Sequence, residues 1–302
     1  MTMKLRLPAL ALMFVLMTFS SCGIYKARLA ANSKPLTVPE MTQPYRPAGT
    51  LVETFHSCSV PGPTQRRLLI YLPEGYYDSD ARYPVAYFNH GARGNETSWI
   101  TKGRALELAD SLFTCGKARP CILVFTNLNQ YKDDADYGYS RRKGAIESVV
   151  EVDGRAESAF MEDIVAHVDS LFRTIPDKEH RSIAGMSLGG LQSMYISARH
   201  PESFSYVGMF SPLHKVPAKH GRYSWFYGGH RDNLKEQFSN PPLVYDIETG
   251  RSDVLYPGIR SYCRYLDRQG YGFTFTDYPG GHDWDVWSKA FVNYLQMIFP
   301  ED

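Results

Sequence analysis

The sequence predicts an α/β protein whose central sheet is mostly parallel and covered by helices on both faces. Three observations predict it. Short apolar runs of strand length recur along the chain. From about residue 85 they alternate with longer segments whose apolar residues recur at helical spacing. The first two or three runs follow one another without a helix, so the sheet starts antiparallel before it turns parallel.

Taken in order, residues 1–22 read as a targeting segment. Lys4 and Arg6 form a basic start, and residues 7–19 are an apolar run of 13 residues, too short to span a membrane. The run ends Phe19-Ser20-Ser21-Cys22, which resembles a bacterial lipobox. That resemblance implies lipidation of Cys22, export, and anchoring of the protein to a cell-envelope membrane. An ordinary signal peptide cut near Ser21 is the other reading. Residues 23–49 read as a tether, because Pro35, Pro39, Pro44 and Pro47 break any regular element. The folded domain is expected over residues 50–302.

Within it, strands are expected at 50–56, 67–72, 85–89, 122–126, 182–186, 206–210, 243–247 and 273–278. Helices are expected at 103–114, 159–173, 187–200, 256–269 and 283–299. In the helix after residue 187, Leu188, Leu191, Met194, Tyr195 and Ala198 recur at helical spacing. A chain of 302 residues, 43% hydrophobic and 22% charged, has ample core for one such domain. Its net charge of +1 gives no electrostatic reason to expect nucleic acid.

Five cysteines are present. In an exported protein Cys58, Cys115, Cys121 and Cys263 could pair, and Cys115 with Cys121 would close a small loop. No metal is expected, because no Cys-x-x-Cys or histidine cluster accompanies them. His214, His220 and His230 read as surface residues. Residues 131–152 are long and polar and read as a solvated loop rather than a calcium site.

Gly185-Met186-Ser187-Leu188-Gly189 is a G-x-S-x-G pattern between an expected strand and an expected helix. A serine on such a turn stands clear of the sheet at a helix N-terminus, where a developing oxyanion is favoured. A serine nucleophile needs a base, and the base needs an acid to fix its tautomer. His282, in Pro279-Gly280-Gly281-His282-Asp283-Trp284, leaves the last expected strand and is the candidate base. Asp253, after the strand at 243–247, is the candidate acid, with Asp246 and Glu248 as rivals. Two backbone N–H groups should face the oxyanion. Leu188 supplies one, and Ala92, or else Gly91, supplies the other. His90 reads as a prop for that loop. Trp99, Trp225, Tyr227 and Trp284 are the candidate substrate-binding aromatics.

Several stretches together resemble the putative-esterase family of α/β-hydrolases. They are Tyr71-Leu72-Pro73-Glu74-Gly75-Tyr76, Tyr83-Pro84-Val85, His90-Gly91 with Glu96 and Trp99, Ala184 to Gly190, Gly250 with Asp253, and Gly280 to Trp284 with Trp287. That family includes feruloyl esterases, S-formylglutathione hydrolases, enterochelin esterases and mycolyltransferases. The resemblance implies an α/β-hydrolase fold, the triad Ser187, Asp253 and His282, and no cofactor. Within the family the chain is most similar to feruloyl esterases of xylan-degrading systems. This implies an acylated plant oligosaccharide or small ester as substrate, with hydroxycinnamoyl as the expected acyl group. An acetylxylan or short-chain esterase and an acyltransferase are the alternatives within enzymes. A non-catalytic carbohydrate-binding lipoprotein is the alternative outside them. Arg93 stands where small residues are common in the family.

Overall fold

The computed structural model describes residues 45–59, 65–128, 154–214 and 224–300. The expected targeting segment, Cys22, most of the tether, the loop at 131–152 and His220 lie outside these residues, as does the side chain of Trp225.

Eight strands form one sheet: β1 Thr50–Ser57, β2 Gln65–Leu72, β3 Val85–Asn89, β4 Ile122–Phe125, β5 Arg181–Met186, β6 Tyr206–Phe210, β7 Val244–Gly250 and β8 Thr274–Tyr278. Their spatial order is β1-β2-β4-β3-β5-β6-β7-β8. β1 and β2 run antiparallel to each other, and β2 runs antiparallel to β4. All later pairings are parallel. The sheet therefore starts antiparallel, as the missing early helices imply.

The helices are α1 Ser98–Thr101, α2 Ala105–Thr114, α3 Arg155–Ser158, α4 Ala166–Leu171, α5 Leu188–Arg199, α6 His230–Gln237, α7 Tyr256–Gln269 and α8 Trp284–Leu295. They cover both faces of the sheet. One core joins β5 and β6 residues Ile183 and Val207 to Leu191 of α5 and Ile259 of α7. The other joins Phe88 and Phe210 to Leu108 of α2 and Phe291 of α8. Strands buried on both sides have no alternation, and β3, β4, β5 and β6 are buried at every residue.

The structure departs from the sequence reading at four places. The segment expected as one helix at 159–173 opens as a π-helical stretch, Phe160–Val165, and continues as α4, with α3 just ahead of it. Helix α6 escapes the pattern because its sequence is polar and only Leu234 and Gln237 are buried. β7 runs on to Gly250, because the polar Glu248 and Thr249 are fully buried, Glu248 pairing with both neighbouring strands and Thr249 with β8. Cys115 and Cys121 form no disulfide. Cys115 ends α2 with its thiol toward the Leu112 carbonyl, whereas Cys121 is buried at the foot of β4.

Contact with the domain begins ahead of β1. The Tyr45 hydroxyl and the Ala48 N–H both donate to Asp110 on α2, at 2.6 and 2.8 Å.

Candidate active site

The chain runs from β3 outward to β4, then returns past β3 to β5 and continues outward the other way. The carboxyl ends of β3 and β5 thus flank a topological switch point, where open α/β sheets leave a crevice. Ser187 follows β5, and the His90 to Trp99 loop follows β3.

Ser187 has φ 56° and ψ −114°, a strained conformation for a residue with a side chain. Backbone bonds on both sides hold it. Its N–H donates to the Phe210 carbonyl at 2.8 Å, and its own carbonyl accepts from Leu213 N–H at 2.9 Å. The flanking glycines permit the turn by close approach. A Cβ on Gly189 would lie 2.4 Å from the Asn89 carbonyl oxygen, so α5 starts in direct backbone contact with the end of β3. Leu188, the first residue of α5, has no acceptor for its N–H within the helix.

His282 and Asp253 come from the loops after β8 and β7. The two loops are zipped together by Arg251 N–H to Tyr278 C=O at 2.8 Å and Ser252 N–H to Gly280 C=O at 2.9 Å. Gly250 makes this possible, since a Cβ there would lie 2.4 Å from the Gly281 carbonyl oxygen. The result is one row of side chains. His282 Nε2 lies 2.9 Å from Ser187 Oγ, and His282 Nδ1 lies 2.8 Å from Asp253 Oδ2. An ionised carboxylate only accepts, so Nδ1 carries the proton and Nε2 is the acceptor for the serine hydroxyl.

The Asp253 side chain is fully buried, while that of His282 is 28% exposed. Burial pushes the Asp253 carboxyl up. Hydrogen bonds from His282, from the Leu255 N–H at 2.7 Å and from Ser211 outweigh this, and hold it below the usual carboxylate range. Ser211 is a residue that sequence reasoning missed. Its φ of 46° is the visible sign of a constrained turn, and no motif marks it. The Trp287 ring meets the His282 ring edge-on at 5.0 Å and limits its rotation.

The rival carboxylates sit elsewhere. Asp246 and Glu248 are fully buried inside β7, on the side packed by α8. Asp246 accepts from Thr274, and Glu248 accepts from the Tyr278 hydroxyl and from Asn293 at 2.9 Å. Burial raises both carboxyls, and the neighbouring Asp246 raises Glu248 further.

The loop after β3 is pinned at several points. Gly91 is pressed against Met186, which precedes the serine, so Ala92 lies on the segment that borders Ser187. His90 is a prop: Nδ1 bonds the Gly91 carbonyl at 2.7 Å and Nε2 accepts from Leu128 N–H at 3.2 Å. Burial lowers its pKa to about 4. Buried Glu96 is bound by Arg67 of β2 at 2.7 Å. Arg93 takes φ 63°, a left-handed turn that glycine, without a Cβ, adopts with less strain.

Among the expected substrate-binding aromatics, two belong to the core. Trp99 is 1% exposed, donates to the Asn89 carbonyl at 3.1 Å and packs against Phe88, Phe210 and Phe291. Tyr227 is buried edge-on against Tyr195. Trp284 is half-buried two residues beyond His282. His230, expected at the surface, instead stacks on Tyr195 at 4.2 Å, and burial lowers its pKa to about 4. His214 is half-buried over Gly258.

A family profile described as Putative esterase matches residues 61–244, more than half of the chain. The chain belongs to that family. An endo-1,4-beta-xylanase/feruloyl esterase of Xylanibacter ruminicola is 29% identical over 236 residues, covering 76% of this chain and 29% of that one. An acetyl esterase of Caldicellulosiruptor saccharolyticus is 23% identical over 245 residues, covering 70% of this chain and 82% of that one. Among solved structures, a ferulic acid esterase of Anaeromyces mucronatus superimposes with a TM-score of 0.68 at 23% identity, covering 88% of this chain and 96% of that one. The superposition shows that the chain has the α/β-hydrolase fold. The chain spans less than a third of the xylanase/feruloyl esterase it matches, so only part of that protein has a counterpart here.

Proposed function

We propose that this family member is a serine carboxylic-ester hydrolase of feruloyl-esterase type, releasing hydroxycinnamoyl groups from acylated plant oligosaccharides. The observation that carries it is the row Ser187 Oγ, His282 Nε2, His282 Nδ1 and Asp253 Oδ2, with both hydrogen bonds below 3.0 Å. Ser187 Oγ attacks the ester carbonyl as His282 Nε2 takes its proton. The imidazolium, steadied by Asp253, then protonates the departing alcohol and leaves an acyl-serine. His282 Nε2 then takes a proton from a water that attacks the acyl carbon; the bond to Ser187 Oγ breaks, the proton passes to Oγ, and the carboxylic acid leaves. The N–H groups of Leu188 and Ala92 are assigned to the oxyanion. The similarity to a xylanase/feruloyl esterase and to a ferulic acid esterase supports the hydroxycinnamoyl group. The acetyl esterase relative favours acetyl as the second reading.

The test is a hydrolysis panel of methyl ferulate, acetylated xylan and short-chain nitrophenyl esters. Methyl ferulate should give the highest kcat/KM, and Ser187→Ala should lose turnover on the order of 10⁴-fold or more with the fold intact. A preference for acetylated xylan moves the assignment to an acetyl esterase, and wild-type activity in Ser187→Ala removes the serine mechanism.

The localisation proposed is a lipoprotein anchored through Cys22 in a bacterial cell envelope. The lipobox-like Phe19-Ser20-Ser21-Cys22 supports it. Among the described residues no helix is long and apolar enough to cross a membrane. Cys22→Ser should move the protein from the membrane pellet to the soluble fraction. A variant that still pellets excludes the anchor.

A further inference from the structure

A second cluster of chemistry-bearing side chains lies at the end of the edge strand, with β2, β4 and β3 between it and β5. His56 is the penultimate residue of β1, and Cys58 follows the strand. Residues two apart on an extended chain project to the same side. Asp163 belongs to the π-helical stretch Phe160–Val165, which packs against β1. A ring nitrogen of His56, the Cys58 sulfur and an Asp163 oxygen all lie within 4.8 Å of one another.

The His56 ring is set up as a ligand. It is 2% exposed, and Nδ1 lies 3.1 Å from the Ser57 carbonyl, which places the proton on Nδ1. Nε2 then carries a lone pair, is buried, and meets no hydrogen-bond donor among the described residues. A buried polar atom left this way is destabilising, and a bound cation removes that cost. Metal-binding histidines characteristically donate their other N–H to a backbone carbonyl. The carboxylate is held too, because Ser59 N–H donates to both Asp163 oxygens at 2.9 and 3.1 Å. π-Helical turns are rare and recur at functional positions.

We propose that His56, Cys58 and Asp163 form a site for a zinc-type divalent cation, which ties the end of the edge strand to the helical layer. Imidazole, thiolate and carboxylate are together the ligand types of Zn²⁺, whereas Ca²⁺ and Mg²⁺ take oxygen. Zinc bonds of about 2.0–2.3 Å set tetrahedral ligands roughly 3.3–3.8 Å apart, so an adjustment of about 1 Å closes the site. Three protein ligands leave the fourth position to water. Arg66, the cross-strand partner of His56, adds one positive charge on that side. The thiolate and the carboxylate bring two negative ones. The ligands come from two distant parts of the chain, which is why no local Cys or His motif announces them.

The experiment uses the full chain with Cys22→Ser and Cys115→Ser in every arm, without an affinity tag, titrated with Co²⁺ and then Zn²⁺ after chelator treatment. The parent should bind about one Co²⁺ per chain with a thiolate-to-cobalt charge-transfer band, which Zn²⁺ displaces. Cys58→Ser should lose the band. His56→Gln and Asp163→Asn should weaken Co²⁺ binding by ~100-fold or more, since even the outer-shell partners of metal ligands are worth about 10–100-fold. Zn²⁺ should raise the Tm of the parent and not that of Cys58→Ser. Thermal unfolding in chelator checks that each variant is folded. Absence of saturable binding by the parent overturns the site. So does a band that survives in folded Cys58→Ser, or affinity unchanged in both His56→Gln and Asp163→Asn.

Discussion

At the scale of single residues, the question is which carboxylate serves His282. Asp253 touches the ring at 2.8 Å, while Asp246 is engaged by Thr274 inside the sheet. A carboxylate behind the base selects the reactive tautomer and steadies the imidazolium, so its benefit appears as charge develops. Asp253→Asn should therefore cost on the order of 10⁴-fold in kcat with little change in KM. Asp246→Asn should shift the Tm and leave kcat within a few-fold of wild type. Steady-state kinetics on the two purified variants, with melting curves, decides between them. A fall in kcat for Asp246→Asn alone would reverse the assignment. Sequence position could favour Asp253 over its rivals, but the decisive fact is a contact between loops 29 residues apart.

At the scale of elements, the placing of Ser187, the proposed nucleophile, depends on how closely α5 meets the sheet. Adding a Cβ at Gly189 brings it against the Asn89 and His90 carbonyl oxygens at 2.4 and 2.5 Å, and backbone there has little room to give. Gly189→Ala should push the start of α5 away from β3, destabilise by about 1–3 kcal/mol or more, and displace the Leu188 N–H. The kcat of the folded protein should fall with it. Gly116→Ala is the control. It occupies a left-handed turn with φ 66° and open space, far in sequence from the site. It should cost about 1 kcal/mol and leave kcat alone. Equal kcat in the two variants would show that the close helix approach does not position the serine. The pattern of the sequence marked this strand and helix well, because apolar strand residues and helical spacing are local properties. It could not mark the π-helical break or the polar end of β7, because both are stabilised by partners far along the chain.

At the scale of the whole molecule, buried titratable groups set the pH range of stability. His90 and His230 have pKa values of about 4 in the fold, against about 6.5 in an unfolded chain. Between these values the unfolded chain binds protons that the fold refuses, so stability falls as pH drops from about 6.5 toward 4. Asp253, held low, acts with the same sign in a lower window. Asp246 and Glu248, held high, act with the opposite sign, since the fold keeps their protons longer than the unfolded chain does. His230 isolates one contribution, because neither ring nitrogen has a partner among the described residues and its ring stacks on Tyr195. His230→Phe keeps the stack and removes the proton site. Relative to wild type it should gain roughly 1–2 kcal/mol on going from pH 7 to pH 5, read from denaturant melts. A stability difference that stays constant over that range would mean that His230 is not held neutral by the fold.

The sequence by itself determined the layered α/β architecture, the antiparallel start of the sheet and the serine turn. Each is written in short-range periodicity and in residues that need unusual backbone freedom, so neighbours in sequence suffice to specify it. It also placed Asp253 and His282 in loops at the carboxyl ends of strands, as candidates for a row with Ser187. Only the tertiary structure decided that these side chains meet, that Ser211 bonds the acid, and that Trp99 and Tyr227 are core rather than pocket wall. The same holds for the grouping of His56 and Cys58 with Asp163. Whether a side chain is buried, and what it touches, depends on which distant elements pack on it. That is fixed by the zipped loops after β7 and β8, the closeness of α5 to β3 and the packing of the π-helical turn on the edge strand.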